Sequence, residues 1–208
     1  MDFLTEEQRA RFAEINARIG LGPMEFTTVD TFAKMDHSQV PDLMKMSSTG
    51  ESHFTPHKMS VASIEDMRKI LVTPNIQNPS QGEEPPVPPA PEPSVINKLM
   101  SVDPSVLKAQ IPSDMKKDMS EAAIAYALGN ATDEQDVQDW VSIINQHMYP
   151  GTLTAYSMET LTVPPGKKLV LSGDEPLFIN IGKIVLGAGS ELIINTQFSV
   201  NSQQCQSA

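Results

Sequence analysis

The sequence has few of the features that mark disulfide-stabilised or nucleic-acid-binding proteins. Its 208 residues include one cysteine, Cys205, so no disulfide within one chain can hold the fold. Basic residues are also few, 15 against 26 acidic ones, and the formal net charge is −11. Clustered Lys and Arg are what bind phosphates and anionic headgroups. This balance therefore argues against a nucleic-acid partner and against docking on an anionic membrane.

Long apolar runs are absent too. No stretch approaches the roughly 18 apolar residues that a membrane-spanning helix needs, so we expect no membrane insertion. Residues Met1 to Arg9 lack the positively charged start and apolar run of a secretory signal. We therefore expect a cytoplasmic protein, with export by a signal-independent route as the alternative.

Catalytic and metal-binding motifs are missing as well. His53 and His57 have the spacing of a helical metal site, but Pro56 would break such a helix. The glycines of residues 182–190 do not have the spacing of a phosphate-binding loop, and no Gly-x-Ser-x-Gly elbow occurs. We therefore predict no enzyme activity, no catalytic residue, no metal site and no cofactor.

Composition divides the chain into five segments and predicts an α+β protein. Residues 74–93 are rich in proline, which favours an extended linker over a packed core. Residues 1–73 are predicted to form an N-terminal arm that is partly helical and partly irregular. Residues 94–150 are predicted as a helical subdomain, residues 151–201 as an all-β repeat unit and residues 202–208 as a polar tail.

Capping and periodicity predict the helices. Thr5 and Gln8 have the spacing of a capping box, and an apolar stripe follows as far as Ile19. Trp140 falls on such a stripe in the last helix and is expected in the core. No period is sustained over residues 21–58, so we expect an extended or irregular segment that lies along a partner. Further helices are predicted at 63–72, 94–99, from Asp103-Pro104, at 113–128 and at 132–148.

A repeat begins after residue 151. Short apolar runs alternate with Pro, Gly, Asp and Asn, a pattern typical of strands and corners. Residues 161–171 align without a gap on residues 184–194, so that Leu161 corresponds to Ile184 and Leu171 to Ile194. Residues 154–158 precede residues 177–181 by the same offset, while the run that starts at Phe198 comes two residues early.

This strand–glycine corner–strand repeat resembles the coils of β-solenoid and jelly-roll proteins. A period of about 20–29 residues is typical of stacked β-coils, and the offset of this repeat falls in that range. The resemblance covers residues 151–201 and implies an architecture but no activity. Two coils are too few to bury their own faces, and the ends of such a stack present unpaired strand edges.

Apolar side chains in the middle of these runs predict that the outer face of the strands is covered. A half-exposed strand carries polar residues between its core positions, yet Val170 and Ile193 are apolar at equivalent positions. The helices of residues 94–148 are one candidate cover, and a second copy of the chain is another. The predicted assembly interface combines residues of the repeat and of the arm: Val170, Ile193, Val185, Phe178, Phe26, Phe32, Met44 and Met46.

We therefore predict a non-enzymatic structural protein that assembles with itself. The chain would form a homo-oligomer or polymer through its β unit and its N-terminal arm. The alternative is a β-type binding module for a carbohydrate or protein partner, carried by a secreted effector or toxin component.

Overall fold

The chain is an α+β protein. The computed structural model describes residues 4–30, 32, 35–36, 38–71, 92–101, 113–127, 134–173, 175–196 and 198–207. Its helices and strands, in chain order, are α1 Glu6–Arg18, β1 Leu43–Ser47, β2 His57–Val61, α2 Ile64–Leu71, α3 Pro93–Met100, α4 Ser113–Ala127, α5 Glu134–Met148, β3 Gly151–Val163, β4 Lys168–Ser172, β5 Leu177–Leu186, β6 Glu191–Asn195 and β7 Phe198–Ser207.

The chain forms two compact units that do not follow the order of the sequence. Unit 1 combines residues 1–59 with residues 152–208, and unit 2 consists of residues 60–151. The first 59 residues of the predicted arm therefore share a unit with the β repeat. Most of the predicted proline linker lies outside the described residues, and so does the helix expected from Asp103-Pro104.

The helices lie close to the bounds that capping and periodicity predict. The Thr5 hydroxyl accepts the Gln8 N–H at 3.2 Å, and the Gln8 side chain accepts the Thr5 N–H at 3.0 Å. This capping box satisfies amide groups that the first turn of α1 leaves without a helical partner. The bounds of α2, α3 and α4 each lie within one residue of the prediction.

Unit 2 contains the helices α2 to α5. Trp140 of α5 is buried, as expected from its place on the apolar stripe. The Asn145 side chain accepts the Ile64 N–H at 2.8 Å and donates to the Glu65 carboxylate at 3.0 Å. Burial opposes ionisation of Glu65. Hydrogen bonds from Asn145, its own backbone and Ser63 nevertheless hold the pKa of that carboxyl below its usual value.

The strands form two sheets, with the orders β1-β4-β6 and β2-β3-β5-β7. The β1–β4, β4–β6, β3–β5 and β5–β7 pairs are all parallel. Leu161 lies opposite Ile184 in the β3–β5 pair, and the β4–β6 pair has the same offset between partners. The offset between β5 and β7 is two residues shorter and sets Leu177 opposite Phe198. Residues that correspond in the sequence repeat are therefore the residues that lie opposite each other in the strand pairs.

Two strands lie where the sequence predicted an extended or irregular segment. β1 pairs along its whole length with β4, from Leu43 opposite Lys168 to Ser47 opposite Ser172. Its burial does not alternate, because Met46 and Ser47 are both buried. In the sequence, residues 44–47 alternate apolar and polar, but a run of four residues is the shortest that indicates a strand, and Leu43 interrupts it.

β7 is longer than predicted and includes most of the segment expected to be a polar tail. Its pairing with β5 continues to Ser207, which lies opposite Leu186. Strand pairing uses backbone groups that every residue except proline supplies, so polar side chains do not end it.

One apolar cluster joins the inward-facing residues of both sheets. Period-2 alternation places these side chains on one face of each strand. The buried members are Phe32, Val40, Met44, Met46, Phe54, Tyr156, Met158, Leu161, Val163, Leu169, Leu171, Leu177, Ile179 and Ile181.

Tyr156 carries the main polar group inside this cluster. Its hydroxyl donates to the Ser47 carbonyl at 2.8 Å, accepts the Ser47 N–H at 3.1 Å and lies 3.0 Å from the Ser52 hydroxyl. Burial raises the pKa of Tyr156 above its usual value. The side chain of a β3 residue thus satisfies the backbone at the end of β1.

Helix α1 covers the outer face of β5 through a polar network centred on Asn16. The Asn16 side-chain oxygen accepts from the Ser157 hydroxyl and from the Asn180 amide, both at 2.8 Å. Its amide donates to the Glu25 carbonyl at 2.8 Å, and the Asn180 amide also donates to the Phe12 carbonyl at 3.1 Å. Asn16, Ser157 and Asn180 are all buried, so these hydrogen bonds fix the position of α1 on the sheet.

We expect Tyr156→Phe to lower the free energy of unfolding of unit 1 by about 1–3 kcal/mol, because the Ser47 backbone groups lose their buried partner. Urea unfolding followed by circular dichroism measures the loss. Tyr126→Phe in unit 2 is the control, since it keeps the ring that the Arg68 guanidinium covers at 4.8 Å. Equal stability of Tyr156→Phe and wild type would contradict the role assigned to this hydroxyl.

We expect Asn16→Asp to destabilise unit 1 by at least about 2 kcal/mol at neutral pH, because a carboxylate cannot donate to the Glu25 carbonyl. Burial raises the pKa of the introduced carboxyl in the folded state, so the loss shrinks as pH falls from about 8 to about 5. Thermal unfolding across this range tests both statements. Gln39→Glu, which adds the same charge at an exposed position, should change stability little. A loss that does not depend on pH would refute the explanation.

Candidate assembly surface

The two sheets of unit 1 finish on one side at β6 and β7. In the part of the chain that the structure describes, β6 is the last strand of its sheet and β7 is the last strand of the other. Leu192, Ile194 and Val200, with the outward edges of β6 and β7, are called the open end below. The last strand of a sheet presents backbone donors and acceptors that another strand can use.

The side chains of β6 continue rows that are buried one strand earlier. Leu192 lies beside Leu169, and Ile194 lies beside Leu171. Leu169 and Leu171 are buried, whereas Leu192 is 47% exposed and Ile194 is 45% exposed. The same face of the sheet is therefore core at β4 and surface at β6.

Two of the inward positions of β7 are polar. Val200, which lies beside Ile179, is 37% exposed, but Ser202 and Ser207 follow it along the strand. The α1 helix touches this half of β7, where the Gln8 amide donates to the Gln203 carbonyl at 3.3 Å. The apolar part of the open end is thus concentrated at β6 and at the beginning of β7.

Charged side chains are absent from this end of the chain. Residues 192–208 contain no Asp, Glu, Lys, Arg or His, although the whole chain carries a formal charge of −11. Glu191 at the start of β6 forms an ion pair with Lys168 at 2.8 Å. A second copy can approach such a surface without the like-charge repulsion that it meets elsewhere.

The edge strand β1 on the opposite side is blocked by the chain itself. The His53 Nδ1 accepts the Lys45 N–H at 3.0 Å, and the His53 backbone N–H donates to the Lys45 carbonyl at 3.0 Å. The Ser52 hydroxyl donates to the same carbonyl at 3.3 Å, and the His53 ring packs edge-on against Phe32. The hydrogen-bonding groups in the middle of β1 are therefore in use.

Residues near position 30 engage the backbone of β3 in the same way. The Thr27 N–H donates to the Ser157 carbonyl at 2.9 Å, and the Ser157 N–H donates to the Thr27 hydroxyl at 3.0 Å. One oxygen of the Asp30 carboxylate accepts the Thr162 N–H at 2.7 Å. Residues 27–53 thus occupy backbone groups of β1 and β3 on the side of unit 1 away from β6 and β7.

Five of the eight residues predicted at the assembly interface are buried within the chain, four of them in the core or on the outer face of β5. Met44 and Met46 face the core from β1, and Phe32 belongs to the same cluster. Phe178 is buried on the outer face of β5, where α1 lies. These four side chains therefore do not present a surface to another copy, and α1 supplies the cover that was expected from the helices of residues 94–148.

Of the other four predicted residues, Val170 is buried and three are partly exposed. Val170 is buried between its neighbours Lys45 and Ile193, and Ile193 is partly exposed at the open end. Val185 and Phe26 are also partly exposed, and the Phe26 ring lies 5.8 Å from the Phe12 ring. Ile193 is thus the predicted residue that the structure places on β6.

The alternation within the repeat places Leu192, Ile194 and Val200 on the same side as the core positions and predicts their burial, yet all three are exposed. Among the described residues, no strand lies beyond β6 or β7 to cover these positions. An inward position in the last coil of a stack lacks the neighbour that would cover it.

No family model, curated protein or solved structure matches this chain. Function is therefore inferred from the chemistry of the open end. Among the described residues, no three His, Cys, Asp or Glu side chains are placed to hold a metal ion. No described helix is both long enough and apolar enough to cross a membrane.

We expect His53→Phe to keep the ring contact with Phe32 but to leave the Lys45 N–H without its acceptor. Unit 1 should lose about 1 kcal/mol of stability. The Lys45 amide should exchange with deuterium faster, while amides of β4 and β5 keep their protection. NMR-detected hydrogen exchange measures this site by site. An unchanged Lys45 amide would show that His53 does not protect this edge.

Proposed function

We propose that this chain is a non-enzymatic structural protein that assembles with itself, and that the second copy binds at the open end of the β unit. The exposure of Leu192 and Ile194 is the observation that carries the proposal. Each continues a row of side chains that is buried at the preceding strand. Another copy of the same chain supplies both the strand edge and the apolar side chains that this surface lacks.

We also propose that unit 1 is a short β-solenoid-like stack. Parallel strand pairs that share one constant offset support this architecture. The corners support it too, because Gly166 and Gly189 are related by the same offset and share a φ of 69°. Jelly rolls are built from antiparallel strands, so the parallel pairs favour the solenoid-like alternative.

The apolar side chains of the open end supply part of the energy for association, since Leu192, Ile194 and Val200 are 47%, 45% and 37% exposed. Full burial of one Leu, Ile or Val side chain contributes about 1.5–3 kcal/mol. A homodimer covers Leu192, Ile194 and Val200 twice, once on each copy. Association also costs rotational and translational freedom, so backbone pairing along β6 has to add to the apolar contribution.

In this proposal the N-terminal arm acts within its own chain. β1 completes the sheet beside β4, and α1 covers β5. Residues 27–53 occupy hydrogen-bonding groups of β1 and β3, so in this proposal the arm directs assembly to the side of β6 and β7.

We expect wild-type protein at micromolar concentration to sediment as an oligomer and the variant Leu192→Lys with Ile194→Lys to sediment as a monomer. Lysine removes the apolar contact and places four like charges in the interface, so the dissociation constant should rise by about 100-fold or more. Analytical ultracentrifugation over a concentration series measures it.

The matched control is Met24→Lys with Val29→Lys. These two side chains of unit 1 are also exposed, at 43% and 68%, but they lie away from β6. The control should assemble like wild type, and circular dichroism should show that both variants are folded. A monomeric wild-type protein, or assembly of the β6 variant at wild-type strength, would refute the proposed function.

A further inference from the structure

We infer that the open end pairs with the open end of a second copy about a two-fold axis, so that the assembly closes at two copies. This inference rests on the proposed function and adds the symmetry, the strand register and the size of the assembly. Its partner is a second copy of this chain, bound through β6.

On the other side of unit 1, the middle of β1 offers no free hydrogen-bonding groups for a head-to-tail contact through this sheet. A polymer would need the β6 edge of one copy to pair with the β1 edge of the next. The Lys45 N–H and carbonyl of β1 are already bound by His53 and Ser52. An interface in which the same surface meets itself uses the open end alone, and such an interface closes at a dimer.

Charge favours the same arrangement. Within the open end, residues 192–207 carry no charged side chain, and Glu191 at the start of β6 is paired with Lys168. The β1 side carries Asp42, whose side chain is 97% exposed, and Lys45. Two open ends can therefore meet without like charges between them, and the dissociation constant should change little between ~50 mM and ~500 mM salt.

The position of Glu191 determines the register. A two-fold axis perpendicular to the sheet sets β6 antiparallel to its own copy. When that axis passes through Ile193, all five residues of β6 pair, and Leu192 of one copy lies opposite Ile194 of the other. Glu191 then lies opposite Asn195, so the two Glu191 carboxylates are at opposite ends of the strand pair. A shift of the axis towards Glu191 would bring those carboxylates together.

This register places the two Ile193 residues directly opposite each other. Directly opposed residues of an antiparallel pair have Cα atoms about 4.5–5.5 Å apart, within the range that a disulfide spans. A residue meets its own copy only in an interface with two-fold symmetry. Self-crosslinking at one position of β6 therefore separates this arrangement from a head-to-tail one.

The experiment uses the full chain with Cys205→Ser as the background. Residues 191–195 are replaced by cysteine one at a time and oxidised with diamide, and the products are resolved by non-reducing electrophoresis. We expect Ile193→Cys to give the most covalent dimer, at least about 10-fold more than Val29→Cys, which is the exposed control on another part of unit 1. Light scattering of the wild-type protein should give the mass of two chains.

The outcomes separate this inference from the proposed function. Two results would overturn the two-fold arrangement and leave the proposed function standing: an assembly larger than two chains, or no self-crosslink at any position from 191 to 195. In either case, the variant Leu192→Lys with Ile194→Lys would still dissociate the protein. A wild-type protein that stays monomeric would overturn both, including the case in which another segment of this chain covers the open end. A dimer that crosslinks at Ile193 supports both.

Discussion

Parallel pairing between strands from successive coils is the interaction on which unit 1 depends. Because the β3–β5 and β4–β6 pairs share one offset between partners, equivalent side chains stack in rows. Rows that face inward form the apolar cluster, and rows that face outward from β5 receive α1. The backbone hydrogen bonds thus decide which residues are core before any side-chain detail matters. The exposed row at Leu192 and Ile194 follows from the same register, because the row ends where the strands end.

Polar side chains connect the N-terminal residues to this stack. Asn16 joins α1 to β3 and β5, Tyr156 joins β3 to β1, and His53 engages the edge of β1. Each of these three side chains forms hydrogen bonds with backbone or side-chain groups, and these bonds require donors and acceptors in fixed positions. Apolar packing alone would allow α1 or β1 to slide along the stack. The hydrogen bonds make one position much more stable than its neighbours.

Local signals in the sequence predict much of this fold. The capping box at Thr5 predicted the start of α1, because a capping box depends on residues close in sequence. The alignment of residues 161–171 with 184–194 predicted the register of the strand pairs, because paired residues have the same spacing as the repeat. β1 and β2 were missed since their place is set by sheets formed far away along the chain. Five buried residues, among them Met44 and Phe178, were assigned to the interface because the cover by the arm was not visible in the sequence. The exposed face of β6 was missed because periodicity marks a position as inward without showing what lies beside it.

Unit 1 is built from the two ends of the sequence, and this affects how the protein is made. Residues 43–47 emerge from the ribosome long before their partners at 168–172. Residues 60–151, which form unit 2, have left the ribosome by then and can fold as a continuous segment. The sheets of unit 1 then form last, after synthesis of β7, and contacts between such distant segments fold slowly. Met44 and Met46 stay exposed throughout that interval, so the nascent chain presents an apolar segment to chaperones that the finished protein conceals.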